Sequence, residues 1–321
     1  MIQNYKDYIK EQYLDIDPFD EEDWEIDNLS PLLQIVRKQH VNKSYDEITN
    51  IYCSEEQLTS LEGIENLVNL ERLYCYNNQL TSLEGVENLV NLEKLDCISN
   101  RLTSLEGVKK LINLEYLRCD NNQLTSLEVT ENLVNLKNLG CSFNRLRSLE
   151  GIEKFINLKV LYCSHNQLTS MESLEKLLNL EELYCDFNQL TSVEGIENLV
   201  NLKILNRGGN RLDTLDGIEN LVKLEKFYCF DNQLTSLEGI ENFVYLNTLH
   251  CSHNQLTSLD GLENLVNLKY LSCNDNQLTS LEGIENLKNL IELFCTNNKF
   301  SKNYKNYLNE YCRNKKIHLI I

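Results

Sequence analysis

Alanine is absent from the 321 residues, while Asn, Lys, Ile and Tyr are abundant. That bias points to an AT-rich genome, such as that of a large DNA virus, a protist or a low-GC bacterium, and says nothing about mechanism. Positive charge is also scarce. Lys and Arg number 30 against 49 Asp and Glu, a formal net charge of -19. Sequence-independent binding to nucleic-acid phosphates or anionic lipid needs concentrated Lys and Arg, so neither nucleic acid nor a membrane surface is an expected partner. The opening stretch, "MIQNYKDYIKEQYLDIDPFDEEDW", has no apolar core of signal-peptide length, and no run approaches the length that spans a bilayer. The expectation is a soluble, intracellular, cytoplasmic protein (in the host cytoplasm if the source is a virus). No nucleophile elbow, phosphate-binding glycine loop or zinc-binding helix motif is found. No enzyme and no cofactor are expected.

A short phrase is present over and over. "CYNNQL" at residues 75–80 returns 22 residues later as "CISNRL", then as "CDNNQL", "CSFNRL", "CSHNQL" and "CDFNQL". Twelve registers follow, from position 53 to position 295, and Cys fills all of them except the eighth, Arg207. The unit reads L-x-x-L-x-C-x-x-N-x-L-T-S-L-E-G-I-E-N-L-V-N. In "LERLYCYNN" the apolar residues Leu70, Leu73 and Cys75 end in a period of two, which marks a short strand. After Asn78 the period becomes three, through Leu80, Leu83, Val86, Leu89 and Leu92, the spacing that aligns side chains along a 3₁₀ turn. Each unit is therefore a strand, a turn and a tight helical return. Stacked units make a parallel sheet on one face and a row of 3₁₀ segments on the other, because a single unit cannot bury its own apolar face. The buried amides of Asn78, Asn100 and Asn122 would bond backbone groups that the turn leaves unpaired.

The repeat resembles the leucine-rich repeat family throughout residues 48–300. The 22-residue unit is most similar to the variety found in internalins and in a regulatory subunit of type-1 protein phosphatase. That resemblance implies an α/β leucine-rich-repeat solenoid with a curved parallel sheet on its concave face, 3₁₀ segments on its convex face and helical end caps. It also implies protein binding. The expected organisation is an N-terminal helical cap over 1–46, twelve repeats over 47–300 and a C-terminal cap over 301–321. Candidate helices lie around Tyr5–Tyr13, Pro31–His40 and "SKNYKNYLNEYCRNKK", and "IHLII" reads as a closing strand.

Four explanations offer themselves for a cysteine every 22 residues: metal array, disulfide ladder, reactive thiols or packing. Cysteine takes the place of an inward leucine, so Cys75, Cys97 and Cys119 belong to the core. Neighbouring rungs stand about 4.8 Å apart, wider than the Cβ separation of about 3.5–4.5 Å in a disulfide. A straight column offers no tetrahedral ligand set for zinc. Buried Cys acts as a small hydrophobe, and only Cys312, outside the repeat, is expected to react in the folded chain. Free thiols fit a reducing compartment.

Candidate binding residues come from columns meant for water. Tyr162, Tyr184 and Tyr228 stand one before the register, while Phe143, Phe187 and Phe230 stand one or two after it. Tyrosine is a good strand residue and stacks across strands. Phe at exposed positions is not explained that way, and a mid-solenoid aromatic patch with polar neighbours has the composition of an interface centre. Asp231, His253 and Asp275 form a column two after the register whose carboxylates and imidazole could hold a divalent ion; chance polar variation on a solvent face explains them as well. In "LNRGGN", Arg207 takes an inward slot and Gly208 and Gly209 follow. The expectation is an irregular rung in which the glycines bend the strand and the guanidinium turns partly outward. The paired glutamates of "LEGIENL", such as Glu62 and Glu65, form an acidic convex stripe that keeps the chain soluble. The expected function is a monomeric, non-enzymatic scaffold that binds a protein partner on its concave face. An adaptor that docks to an enzyme complex through residues 1–46 is the alternative.

Overall fold

The computed structural model describes residues 29–130, 132–192 and 194–321. Strands β1 to β12 are three residues each and recur every 22 residues, from β1 (Asn50–Tyr52) to β12 (Glu292–Phe294). A thirteenth, β13 (His318–Ile320), follows the second of the two α-helices among the described residues, α1 (Pro31–Gln39) and α2 (Lys302–Lys315). All strands are parallel and lie in one sheet in chain order. The pairing offset equals the repeat, as in Tyr52 opposite Tyr74 and Tyr162 opposite Tyr184. A slip of one residue would turn each strand's leucine outward, so the apolar pattern sets the register.

Most rungs return on the convex side through a 3₁₀ segment, such as Ile64–Asn66 or Ile284–Asn286. Around Gly151, Gly195 and Gly217 the same stretch forms turns instead. Gly195 shows why glycine recurs here. Its φ is +91°, and a Cβ would collide with the backbone carbonyl of Met171 in the rung before. The leucine columns and the cysteine column form one continuous core along the whole solenoid.

Both ends carry a helix. Ser30 caps α1 by accepting from the N–H of Leu33 (3.3 Å), and Leu32 and Val36 enter the common core. Ser301 caps α2 by accepting from Tyr304 N–H (3.1 Å), while Leu308 and Cys312 face the last rung. Tyr304 and Tyr311 fasten that helix to the final repeat. The Tyr304 hydroxyl accepts from Leu281 N–H (2.6 Å), and the Tyr311 hydroxyl donates to the Ile284 carbonyl (3.2 Å). β13 then pairs with β12. The candidate helix around Tyr5–Tyr13 lies outside the described residues.

The asparagine column stitches the rungs together. Asn78 donates through Nδ2 to the carbonyl of Cys53, 25 residues earlier (2.8 Å), and to that of Cys75 (3.0 Å). Its Oδ1 accepts from the N–H of Leu58 (2.9 Å). Asn100 and Asn122 repeat the pattern. Each amide thus satisfies buried groups of two rungs at once.

All twelve cysteines are free and buried. Burial raises the thiols of Cys53, Cys185 and Cys251 to about 12. Several S–H groups donate to the carbonyl of the next strand, as Cys119 does to Gly140 (3.0 Å) and Cys97 to Arg118 (3.2 Å). Cys312 is a correction to the sequence reading. It is 1% exposed on the inner face of α2, because the helix turns that residue and Leu308 toward the last rung. A thiol reagent is therefore expected to label none of the twelve cysteines until denaturant is added. Rapid modification of several thiols in the folded chain would refute the inward assignment.

Arg207 is a second correction. It is completely buried, and its rung is regular. β8 (Ile204–Asn206) pairs in register with β7 (Glu182–Tyr184) and β9 (Lys226–Tyr228). Gly209 takes φ +59°, close to the +51° to +55° of its counterparts from Asn77 to Asn297. Pairing on both sides leaves the strand no slack, so the inward position stays inward. The guanidinium donates through Nη2 to the carbonyl of Ser192 in the turn of the rung before. Nε and Nη1 have no hydrogen-bond partner among the described residues.

Candidate functional site

The parallel strands present three columns of side chains to the concave face: three before, one before and one after the register. The column one after it is more enclosed than its alternation suggests, since Asp120, Ser142, Ser164 and Ser252 are buried. These serines and Asp120 turn toward the next rung, as where the Ser164 N–H donates to Ser142 Oγ (3.1 Å) and the Ser142 N–H to Asp120 Oδ1 (3.0 Å). Beside this column runs the position two after the register. It takes a left-handed turn in rung after rung, with φ between +51° and +55° from Asn77 to Asn297 apart from Gly209.

Polar residues and glycine suit that conformation, whereas bulky ones are held there at a cost on the order of 1–3 kcal/mol. Phe143 and Phe187 occupy it nonetheless, with φ +54° and +53°, and are 53% and 40% exposed. His165 stands between them and stacks on both, with ring centroids 4.1 Å from Phe143 and 4.4 Å from Phe187. Phe187 meets Phe230 edge-on at 6.0 Å, and Phe230 stacks on His250 at 4.7 Å. His250 in turn meets Tyr228 edge-on at 6.4 Å. The result is an unbroken track of rings crossing the fifth to tenth rungs. Tyr162 and Tyr184 form a second stack beside it at 4.7 Å.

Gly208 and Gly209 make the track possible. A Cβ on Gly208 would lie 2.3 Å from the Phe230 ring, and one on Gly209 2.5 Å from Phe187. These glycines do not bend the strand, as the sequence reading expected; they let two rings lean over the eighth rung from either side. Gly140 plays the same part in the fifth rung. Arg118 crosses above it to place its guanidinium 5.1 Å from the centre of the Tyr162 ring while pairing with Asp120 at 2.6 Å.

Charge in the site is arranged around these rings. Burial, and then the Glu182 carboxylate to which the Tyr184 hydroxyl donates (3.1 Å), hold that phenol well above its usual pKa. Burial, with the neighbouring His253 as a smaller cause, lowers the pKa of His250 and favours its neutral ring. Asp186 accepts from Ser164 Oγ (2.5 Å) and from Asn206 Nδ2 (3.0 Å), closing the polar side of the track.

All six aromatic residues singled out from the sequence lie along this surface. Sequence reasoning missed His165, which joins Phe143 to Phe187, the ring role of His250, which joins Phe230 to Tyr228, and Arg118. Reading down the 22-residue column finds His165, since it falls between Phe143 and Phe187. Arg118 carries no such signal, because its reach to Tyr162, two strands away, depends on Gly140 on the strand between them. In the Asp231, His253 and Asp275 column the structure brings the last two together. His253 pairs with Asp275 at 3.4 Å, and among the described residues no group of three or more His, Cys, Asp or Glu is placed to hold a metal ion. Among those residues no helix is long and apolar enough to cross a membrane.

The family model for leucine-rich repeats (two copies) matches residues 90–133, 134–176, 222–264, 246–283 and 266–306, more than half of the chain. The fold is similar to that of an internalin (InlF) of Listeria monocytogenes, with a TM-score of 0.83 and 24% identity over 86% of this chain and 84% of that one. It is similar also to a leucine-rich repeat protein of Leptospira interrogans, with a TM-score of 0.69 and 29% identity over 80% of this chain and 74% of the other. A third similar structure is the functional domain of InlJ from Listeria monocytogenes, which includes a cysteine ladder. There the TM-score is 0.62 and the identity 27%, over 80% of this chain and 64% of that one. No curated protein sequence matches the chain.

Proposed function

The chain belongs to the leucine-rich repeat family, and from that premise we propose that it is a non-enzymatic scaffold that binds a protein partner on its concave face. The observation that carries this reading is the ring track from Phe143 through His165, Phe187 and Phe230 to His250. Two of its phenylalanines sit exposed in left-handed turns, where an unstrained sequence would place Asn or Gly. Strain and exposed apolar area together oppose stability in the free chain. A surface that buries rigid aromatic rings against a partner gives both a reason. Tyr162, Tyr184 and Tyr228 widen the patch, and polar groups such as Asp186 and Asn206 rim it, as at the centre of an interface.

The free, buried thiols support a cytoplasmic location. In the first and last rungs the helices α1 and α2 serve as caps, since an open solenoid end exposes core and strand edge. The test is affinity purification from the native host, followed by titration of the captured partner against a Tyr184→Ala, Phe187→Ala double variant. Affinity is expected to fall by about 2 kcal/mol or more with the fold intact. Unchanged affinity in that variant would move the partner off the concave face.

A further inference from the structure

The convex return of all but the first and last rungs ends in an exposed aliphatic residue seven before the register. Ten consecutive rungs carry one, from Val68 to Val266, each between 41% and 56% exposed. Asp46 and Lys288 hold the same position at the two ends of the row. The departures from valine, at Ile112, Ile156 and Leu178, all remain aliphatic. Three places further on, the charge reverses freely, from Glu115 to Lys137 and Lys159 and back to Glu181. A position with no task beyond facing water would drift as its neighbour does. A contiguous exposed apolar row of this kind marks an interaction surface.

Most of the backbone along the row is already satisfied. A second asparagine ladder lies immediately beside it, in which each Nδ2 donates to the carbonyl of the aliphatic residue one rung earlier. It is interrupted only beside Val200 and Val222, where Lys223 and Tyr245 replace the asparagine. Asn91 bonds Val68 (3.2 Å), Asn135 bonds Ile112 (2.9 Å), Asn179 bonds Ile156 (2.8 Å) and Asn289 bonds Val266 (2.9 Å). The N–H groups are used as well, as where Val90 donates to Asn88 and Val134 to Asn132. An extended peptide laid here would find few main-chain partners, whereas a helix brings its own. Spacing agrees. Rungs repeat every 4.8 Å or slightly more and a helix advances about 5.4 Å per turn, so nine steps span roughly 45 Å, the length of a helix of about 30 residues.

Charge decides what kind of helix. Along the first rungs the asparagines that follow Val68, Val90, Ile112 and Val134 line a groove shared with Asp46, Glu47, Glu71, Glu93 and Glu115. Further on the same column carries Lys137, Lys159, Lys203 and Lys269 beside Glu181 and Glu225, so the acidic flank belongs to that first end, while the chain as a whole carries -19. That charge opposes a second copy of this chain and favours a cationic partner. We propose that the aliphatic row is a second docking surface, independent of the concave face, for an amphipathic helix with an apolar stripe flanked by Lys or Arg.

The experiment titrates the full chain with a synthetic 30-residue helix carrying a leucine stripe flanked by lysines, and with a twin flanked by glutamates. The lysine helix is expected to bind more tightly than its twin. Ile156→Asn with Leu178→Asn, and separately Val90→Asn with Ile112→Asn, are expected to weaken it by about tenfold or more. All four residues are exposed, so circular dichroism should show both variants folded. The Tyr184→Ala, Phe187→Ala variant should bind the helix as the parent chain does, which separates this surface from the concave one. Equal affinity for the two helices, or unchanged affinity in both asparagine pairs, would overturn the proposal. So would a reversible dimer, seen by sedimentation, that the asparagine pairs abolish, since a second copy would then own the row.

Discussion

Replacing Arg207 by cysteine, the residue that fills its register in the other rungs, is expected to raise the stability of the chain by about 2 kcal/mol. A guanidinium stays charged in a protein, and this one is fully enclosed with a single carbonyl acceptor. Two of its nitrogens have lost their water without gaining a partner among the described residues. Each such group costs about 1–3 kcal/mol. Burial drives the Arg207 pKa down, and no carboxylate pairs with it among the described residues; the thiols around it are neutral, as Cys185, raised to about 12, is. The smaller side chain leaves a cavity, which offsets part of the gain. Arg207→Leu, which fills more of the space, should therefore be the more stable of the two. Urea unfolding of both variants checks the sign. A lower midpoint in each would mean that the bond to Ser192 outweighs the desolvated charge.

The opposite result is expected in the asparagine column. Asn166 donates through Nδ2 to the carbonyls of Cys141 (3.0 Å) and Cys163 (3.1 Å), and its Oδ1 accepts from the N–H of Leu146 (3.0 Å). Asn166→Ala would leave the Leu146 N–H unpaired and remove one of two amide donors from each carbonyl, since Cys141 keeps Asn144 and Cys163 keeps Asn188; stability is expected to fall by about 2 kcal/mol. Asn166→Asp preserves the shape and the acceptor but replaces the donor with a second oxygen facing two carbonyls. It is expected to unfold more easily than the alanine variant at neutral pH and to recover as the carboxyl is protonated. Thermal or urea unfolding from pH 7 to pH 4 distinguishes the two. An aspartate variant as stable as the parent would mean that the amide acts by shape alone. The effect should be larger here than at an end of the solenoid, because the rungs on both sides depend on the same side chain.

What the sequence determined by itself was everything that repeats. A 22-residue period, a switch of apolar spacing from two to three and an asparagine at one fixed offset sufficed for the parallel sheet, the convex 3₁₀ returns and the inward cysteines. Each of these follows from a local rule applied in register, and rungs that contact only their neighbours leave local rules little competition. The second asparagine ladder and the aliphatic row beside it were also present in the columns. They were passed over because adjacent apolar residues such as Leu89 and Val90 break the period of three. Tertiary structure alone decided matters that depend on what one rung does to the next. Paired strands on both sides held Arg207 inside, against the expectation from its charge. The missing Cβ atoms of Gly140, Gly208 and Gly209 opened space that side chains from other rungs entered. The rotation of α2 over the last repeat buried Cys312. In each case the outcome rests on contacts between residues some 20 or more apart, and a single rung contains no trace of them.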